Sequence, residues 1–331
     1  MHILITGGAG FIGSHLCDAL IAAGHAVTVL DDFSTGRHDN IAHLEGHPLF
    51  KLVCADIADE QIVRECVSQA DRVYHLASAV GVRLIVEQPV RTIETIVHGT
   101  SVVMKACSRY RKPVLITSTS EVYGKSDKVP FSEEDDLVIG PSPRRRWGYA
   151  CSKALDEFLA MAYWHHSRMP VVIVRLFNTV GPRQSGQYGM VLPRFVQQAL
   201  KDEPLTVYGD GTQTRCFCHV KDAVSAITRL MELPEARGQV FNVGNREEVS
   251  IRELAERVIR ITTSRSQIRY IPFEEAYGTD FEDMQRRVPD LTKIEKAIGY
   301  RPRYSLDDII RDIVEYYSAR MGLAVRGATA R

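Results

Sequence analysis

The 331-residue chain has no excess of charge of either sign: 41 Lys and Arg stand against 41 Asp and Glu. Nucleic-acid binding shows as clustered positive charge. The densest basic run, Arg144-Arg145-Arg146, is too short to provide it, so no nucleic-acid partner is expected. No apolar stretch approaches the ~20 residues that span a bilayer, and no membrane partner is expected either. The opening MHILITGG has no basic segment followed by a long apolar one, so no secretory leader is read and the cytosol is the expected compartment. Cysteine is scarce, scattered and odd in number at seven, which argues against a disulfide framework. Cys216-Phe217-Cys218-His219 offers zinc-ligating residue types, but a tetrahedral site needs four ligands and no second Cys/His pair is suitably spaced. Small side chains in a strand are the reading there, and no metal is expected. Internal repeats and low-complexity segments are missing as well.

What is present is an ordinary globular composition, 45% hydrophobic and 25% charged, in a chain long enough for one large or two modest domains. Short β-branched runs over residues 2–6, 26–30, 50–53, 72–76, 114–118 and 171–175 alternate with helical patterns over 13–23, 58–69, 89–110 and 149–166. Unbroken apolar strands alternating with helices indicate a parallel sheet covered on both faces. The expected fold is therefore α/β, a Rossmann-type doubly wound parallel sheet with a smaller mixed α/β C-terminal lobe. Past Phe177 loops lengthen and glycine accumulates, as in GPRQSGQYGM and YGDGTQ, and the last helix is read over 306–321. The division expected is a dinucleotide-binding core over 1–177, with crossings back from about 205–245, a substrate lobe mainly over 178–321, and a frayed tail over 322–331.

TGGAGFIG, from Thr6 to Gly13, opens the first strand-helix unit. Glycines at 7, 10 and 13 permit a tight turn, close approach of backbone to a pyrophosphate, and close helix-strand packing; the helix N-terminus then faces the phosphates. A second strand, Val27-Thr28-Val29-Leu30, ends in Asp31 at about the expected ~20-residue interval. An acid there accepts hydrogen bonds from ribose hydroxyls and repels a 2′-phosphate, which favours NAD over NADP, with Arg37 as a mild counter-signal.

Tyr149-Ala150-Cys151-Ser152-Lys153 sets a phenol and an amine four apart on one helical face. With an unperturbed pKa near ~10 a phenol is a poor base. A neighbouring ammonium favours the phenolate, so Lys153 is expected to lower the pKa of Tyr149 and let it take a proton from a hydroxyl. STSEVYG, residues 118–124, places Thr119, Ser120 and Glu121 at the end of a buried strand.

Together with LDDFSTG, Asp56-Ile57, HLAS, RLFNTVGPR, LTVYGDGTQTR, NVGN and RRVPD, these motifs resemble the extended short-chain dehydrogenase/reductase family acting on nucleotide sugars, over residues 2 to about 317. The resemblance implies that NAD is held by Gly7, Gly10, Phe11, Ile12, Gly13, Asp31, Asp32, Ser34, Thr35, Gly36, Asp56, Ile57, Leu76, Ala77, Ser78, Tyr149 and Lys153. Ala77 and Ser78 would line the pyrophosphate. It further implies Tyr149 as base, Thr119 as hydrogen-bond partner of the sugar O4, and Asn178, Arg183, Val191, Tyr208, Arg215 and Arg287 around the nucleotide diphosphate-sugar, uridine being the expected base. One position departs from the pattern: T-N-x-x-G-T reads Thr95-Ile96-Val97-His98-Gly99-Thr100, so the usual bracing Asn is Ile96. Members pair as homodimers through a four-helix bundle. The helices over 89–110 and 149–166 carry apolar residues for such a bundle, Ile93, Ile96, Val97, Leu159, Met161, Tyr163 and Trp164, so a homodimer is expected.

Such enzymes begin by oxidising C4 of the sugar. A 4,6-dehydratase then needs an acid to protonate the leaving C6 oxygen, and the residue where the family has Asp is Ser120, a poor donor. A UDP-glucuronate decarboxylase needs less, because a 4-ketone makes the C6 carboxylate part of a β-keto acid. Thr119-Ser120-Glu121, the RRRWGY segment at 144–149 and YGTDFEDMQRRVP at 277–289 resemble that branch, with Arg287 on its catalytic arginine. There Glu121 and Arg287 serve C5 protonation or positioning and Ser120 contacts the carboxylate, giving UDP-xylose or UDP-4-keto-pentose. A UDP-sugar 4-epimerase is the alternative; it needs only Tyr149, Thr119 or Ser120 and room for the keto sugar to turn, with Arg287 a diphosphate ligand and Glu121 a brace. A non-catalytic NAD-binding sensor is disfavoured, since Tyr149, Lys153 and Thr119 are all retained.

Overall fold

The computed structural model describes residues 1–79, 85, 87–186, 190–277, 282 and 284–323. The expected tail over 322–331 therefore lies outside the described residues beyond 323. Seven strands form one sheet: β1 (His2–Thr6), β2 (Ala26–Asp31), β3 (Phe50–Cys54), β4 (Arg72–His75), β5 (Val114–Thr119), β6 (Val171–Leu176) and β7 (Gln239–Val243). Their spatial order is β7-β6-β5-β4-β1-β2-β3, and every neighbouring pair is parallel. The order reverses direction at β1 and β4, which is where a doubly wound sheet opens a crevice at its carboxyl edge. The α/β expectation thus matches the architecture, in which β7, from later in the chain, stands beside β6.

The strands form where side chains can be buried on both faces. Ile3, Leu4 and Ile5 in β1 and Val114, Leu115 and Ile116 in β5 are essentially inaccessible, alternate residues entering two different apolar clusters. One face is covered by α1 (Phe11–Ala22) and, from later in the chain, α6 (Val220–Glu232). The other face is covered by α2 (Glu60–Gln69), α3 (Pro89–Tyr110) and α4 (Arg146–Ser167). Asp59 starts α2 later than the expected residue 58, because its side chain accepts from the Gln61 and Ile62 amides. Helix α4 begins three residues before the expected 149, so Arg146 and Trp147 lie in its first turn.

A separate apolar cluster joins α5 (Val191–Leu200), α7 (Ile251–Thr262) and α8 (Leu306–Met321). Ser250 with Glu253 and Ser305 with Asp308 close reciprocal caps on α7 and α8. Beside it, the strand Thr214–Cys216 pairs with Glu248–Ser250 on one side and with Arg286–Arg287 on the other, in register Arg287 to Arg215. Cys216, Cys218 and His219 are buried there, and His219 Nδ1 caps α6 by accepting the Lys221 amide at 3.0 Å. Packing and capping account for all three.

Three residues clamp the end of β5 to α4 and β6. Arg175 donates to both oxygens of Glu157, Nε to Oε1 at 3.0 Å and Nη2 to Oε2 at 2.7 Å, and Ser118 Oγ donates to Oε1 at 2.5 Å. All three are buried. Removing one partner of a buried pair leaves an uncompensated charge. Glu157→Ala is therefore expected to lower the unfolding free energy by about 3 kcal/mol in urea denaturation. A loss below about 1 kcal/mol would contradict this anchoring role.

Candidate active site

The carboxyl ends of the strands deliver one side chain after another into a single cavity of about 440 Å³. Gly7 follows β1, Asp31 ends β2, Leu76 and Ala77 follow β4, Thr119 ends β5 and Asn178 lies just beyond β6; all line it. The cavity brings together every residue singled out in the sequence for cofactor, catalysis or substrate, 166 residues of chain separating Glu121 from Arg287.

On the dinucleotide side the chain cannot carry side chains. Gly7 has φ +73°, and a Cβ there would stand 2.6 Å from the Ala77 amide nitrogen; one on Gly13 would stand 2.2 Å from the Gly7 carbonyl oxygen. The turn is closed by the Gly7 amide on Leu30 O and the Gly10 amide on Gly7 O, which aims the start of α1 at the cavity. Asp31 is buried, and burial pushes its carboxyl above its usual range while the Phe33 and Ala9 amides, both at 2.9 Å, oppose this. Arg37 pairs with Asp39 at 3.1 Å on the surface, which commits the one cation that favoured a 2′-phosphate. Ser78 Oγ is buried in the wall with no hydrogen-bond partner among the described residues. A buried hydroxyl without a partner is costly, and a phosphate oxygen would satisfy it. These features fit a dinucleotide.

On the chemical side, Tyr149 is almost fully buried, packed in an apolar cluster with Ile85 and Ile96. The position that departs from the family pattern thus dries the phenol. Burial pushes its proton affinity well above the ordinary range; Glu121 adds to this, a hydrogen bond with Thr119 opposes it, Asp156 raises it again and Arg287 lowers it. Lys153, expected to lower it, is not among these influences. Lys153 Nζ donates instead to Asp156 Oδ2 at 2.9 Å, whose negative charge offsets that of the lysine.

Arg287 reaches the same corner: its Nη1 lies 3.5 Å from both Ser120 Oγ and Glu121 Oε1. Its Nε is buried without a hydrogen-bond partner among the described residues. Arg146, 3% exposed, brings a second guanidinium within 3.6 Å of Glu121 Oε1. Ser120 and Glu121 thus lie against two cations, a setting that suits a second carboxylate. Farther out, Tyr208 stacks under the Arg194 guanidinium at 4.1 Å and Arg215 Nη1 donates to Thr214 O at 2.7 Å. Asn178 Nδ2 donates to Cys216 O at 3.3 Å. Arg183 lines the cavity but is held by Asp18 at 2.8 Å.

Arg194 and Asp156 were not singled out in the sequence. Arg146 entered there only within the basic run and the RRRWGY segment, with no role of its own; its place in the first turn of α4 buries it. Asp156 stands three residues after Lys153, a spacing that puts both on one helical face and was available as a signal.

A family model described as GDP-mannose 4,6 dehydratase matches residues 4–313. The chain is 41% identical over 315 residues to the UDP-N-acetyl-alpha-D-glucosaminuronate decarboxylase of Bacillus cytotoxicus, covering 95% of this chain and 97% of that one. It is 36% identical to UDP-glucuronic acid decarboxylase 1 of Danio rerio, covering 97% of this chain and 73% of that protein. Among solved structures, the UDP-glucuronic acid 4-epimerase of Bacillus cereus, in complex with UDP-glucuronic acid and NAD, superposes with a TM-score of 0.87 at 29% identity, covering 97% of this chain and all of that one.

Gly7→Ala adds a left-handed-backbone penalty and a clash with Ala77 at the same point. Isothermal titration is expected to show NAD affinity reduced by about tenfold or more. Unchanged affinity would contradict this cradle.

Proposed function

The chain belongs to the extended short-chain dehydrogenase/reductase family of nucleotide-sugar enzymes, and we propose that it is an NAD-dependent decarboxylase of a UDP-hexuronate, with UDP-glucuronate as substrate. The observation that carries this reading is the corner in which Arg287 meets Ser120 and Glu121 beside Tyr149. The names of the relatives at 41% and 36% identity support it.

NAD, held by the glycine turn, Asp31, Asp32, Ser34, Thr35, Gly36, Asp56, Ile57 and the wall from Leu76 to Ser78, supplies the hydride acceptor when bound. Tyr149 takes the proton of the C4 hydroxyl, and Thr119 orients that oxygen. With C4 a ketone, the C5–C6 bond breaks, its electron pair moves into the C4–C5 enolate, and C6 leaves as carbon dioxide. Arg287 holds the departing carboxylate with Ser120, and Glu121 serves proton delivery to C5. Loss of carbon dioxide needs no acid at the leaving group, whereas expulsion of a C6 hydroxyl needs one, and residue 120 is Ser. Return of the hydride to C4 gives UDP-xylose; release before that gives UDP-4-keto-pentose. Asn178, Val191, Tyr208 and Arg215 bind the nucleotide diphosphate, and Arg183 closes that end.

The likeness to the Bacillus cereus 4-epimerase favours a second reading, since Tyr149 and Thr119 suit C4 oxidation with either outcome. Purified protein with NAD and UDP-glucuronate is expected to release carbon dioxide and form a UDP-pentose. No gas with appearance of UDP-galacturonate would replace this reading with epimerisation. Gas only from the 2-acetamido substrate would keep the reaction and change the sugar.

The protein is cytosolic and homodimeric in this reading. The residues expected to serve the bundle face mostly inward: Ile96 is buried, and Leu159, Met161, Tyr163 and Trp164 pack partly buried against the core. The apolar surface left over lies one face further round, with Val90 and Phe158 each 67% exposed, Leu155 50% and Ile93 40%. Leu155 and Phe158 stand one turn apart on α4, and Val90 and Ile93 one turn apart on α3, two stripes suited to burial against a second copy. Phe158→Glu is expected to convert a dimer to a monomer in light scattering; an unchanged dimer mass would place the interface elsewhere.

A further inference from the structure

Lys153 ends in a buried ion pair that C4 oxidation does not itself require. Its Nζ donates to Asp156 Oδ2 at 2.9 Å, the two side chains being 3% and 1% exposed. Asp156 lies two helical turns beyond Tyr149 on α4, about 10 Å along the axis. Across from α4, the Thr100 hydroxyl of α3 approaches the same carboxylate, whose Oδ1 has no closer hydrogen-bond partner among the described residues. Thr100 Oγ1 lies 3.0 Å from His75 Nε2, and His75 Nδ1 lies 2.7 Å from Thr6 Oγ1, at the end of β1 directly before the glycine turn.

The other charged groups around the pair are otherwise engaged. Glu157 is committed to Arg175 and Ser118. Burial pushes the His75 ring down to about 3, with Lys153 contributing, so it is neutral at physiological pH. Glu121 and Arg287 face Tyr149 from the end of β5 and from the strand Arg286–Arg287, and they contact each other. Among the described residues Asp156 is the carboxylate bonded to Lys153.

We propose that Asp156 is a positioning residue for the reaction proposed above: it is the counter-ion that keeps the Lys153 side chain charged inside the cavity wall and fixes it one helical turn from Tyr149. An ammonium withdrawn from water without a counter-charge sheds its proton at lower pH, and a neutral amine no longer favours a phenolate beside it. Asp156 itself is a carboxyl that burial pushes upward, opposed first by Lys153 and then by the Thr100 hydroxyl.

Two sugar-free measurements test this, so their outcome is separate from whether UDP-glucuronate is the substrate. In the first, Lys153 is acylated with acetic anhydride over a range of pH and read by peptide mass spectrometry, since only the unprotonated amine reacts. In Asp156→Asn the acylation curve is expected to move about two pH units lower than in the unaltered enzyme, while Asp156→Glu keeps the unaltered curve. With substrate present, the alkaline limb of the Asp156→Asn rate profile should move in the same direction. In the second, thermal melts compare Asp156→Asn with Lys153→Met/Asp156→Asn. The double variant is expected to recover most of the loss, or to fold where the single one does not. An Asp156→Asn acylation curve that overlays the unaltered one, or a double variant no more stable than Asp156→Asn, would overturn the proposal.

Discussion

Seven strands running in one direction place seven carboxyl ends along a single edge of the sheet, and that constraint orders the rest of the molecule. A parallel sheet cannot be closed by hairpins; each strand must be followed by a crossover on one face or the other. The turns at one edge therefore converge on the crevice where the strand order reverses. Gly7, Asp31, Leu76 and Thr119 are chemically unlike, but each stands at or just past the end of a strand, and all four face one cavity. The second apolar cluster, built on α5, α7 and α8, brings Tyr208, Arg215 and Arg287 to the same opening from the other side.

Polar groups in that wall are stabilised in pairs rather than singly. Arg175 with Glu157 and Ser118 ties α4 to β5 and β6, Lys153 with Asp156 fills the interior of α4, and Glu121 lies within reach of Arg146 and Arg287. Each pair offsets desolvation that a lone charge at the same depth would not survive. The consequence for chemistry is that Tyr149 is held dry among Ile85 and Ile96, with Thr119 beside it and charges arranged around it.

Much of this was legible in the sequence because its signals are local. Apolar runs gave the first six strands to within a residue or two, and TGGAGFIG placed the turn that only glycine can make at 7. Tyr149 and Lys153 are visible as a helical pair. What stayed hidden depends on partners far along the chain. Arg287 reaches Ser120 because its short strand pairs in register with Arg215 and because Phe131 bridges to Pro289, neither of which periodicity reveals; only the resemblance pointed to it. Arg146 has no role of its own within the RRRWGY segment until the start of α4 turns it inward. The exposed apolar residues of α4, Leu155 and Phe158, were not singled out, because sheet contacts absent from the helix sequence decide which side of α4 is core.

Decarboxylation depends on the C4 ketone turning a stable carboxylate into a leaving group, with C5 taking a proton in its place. Running the reaction with UDP-glucuronate in deuterium oxide measures this directly. The prediction is a UDP-pentose carrying one solvent deuterium at C5. A hexuronate product free of deuterium would contradict it.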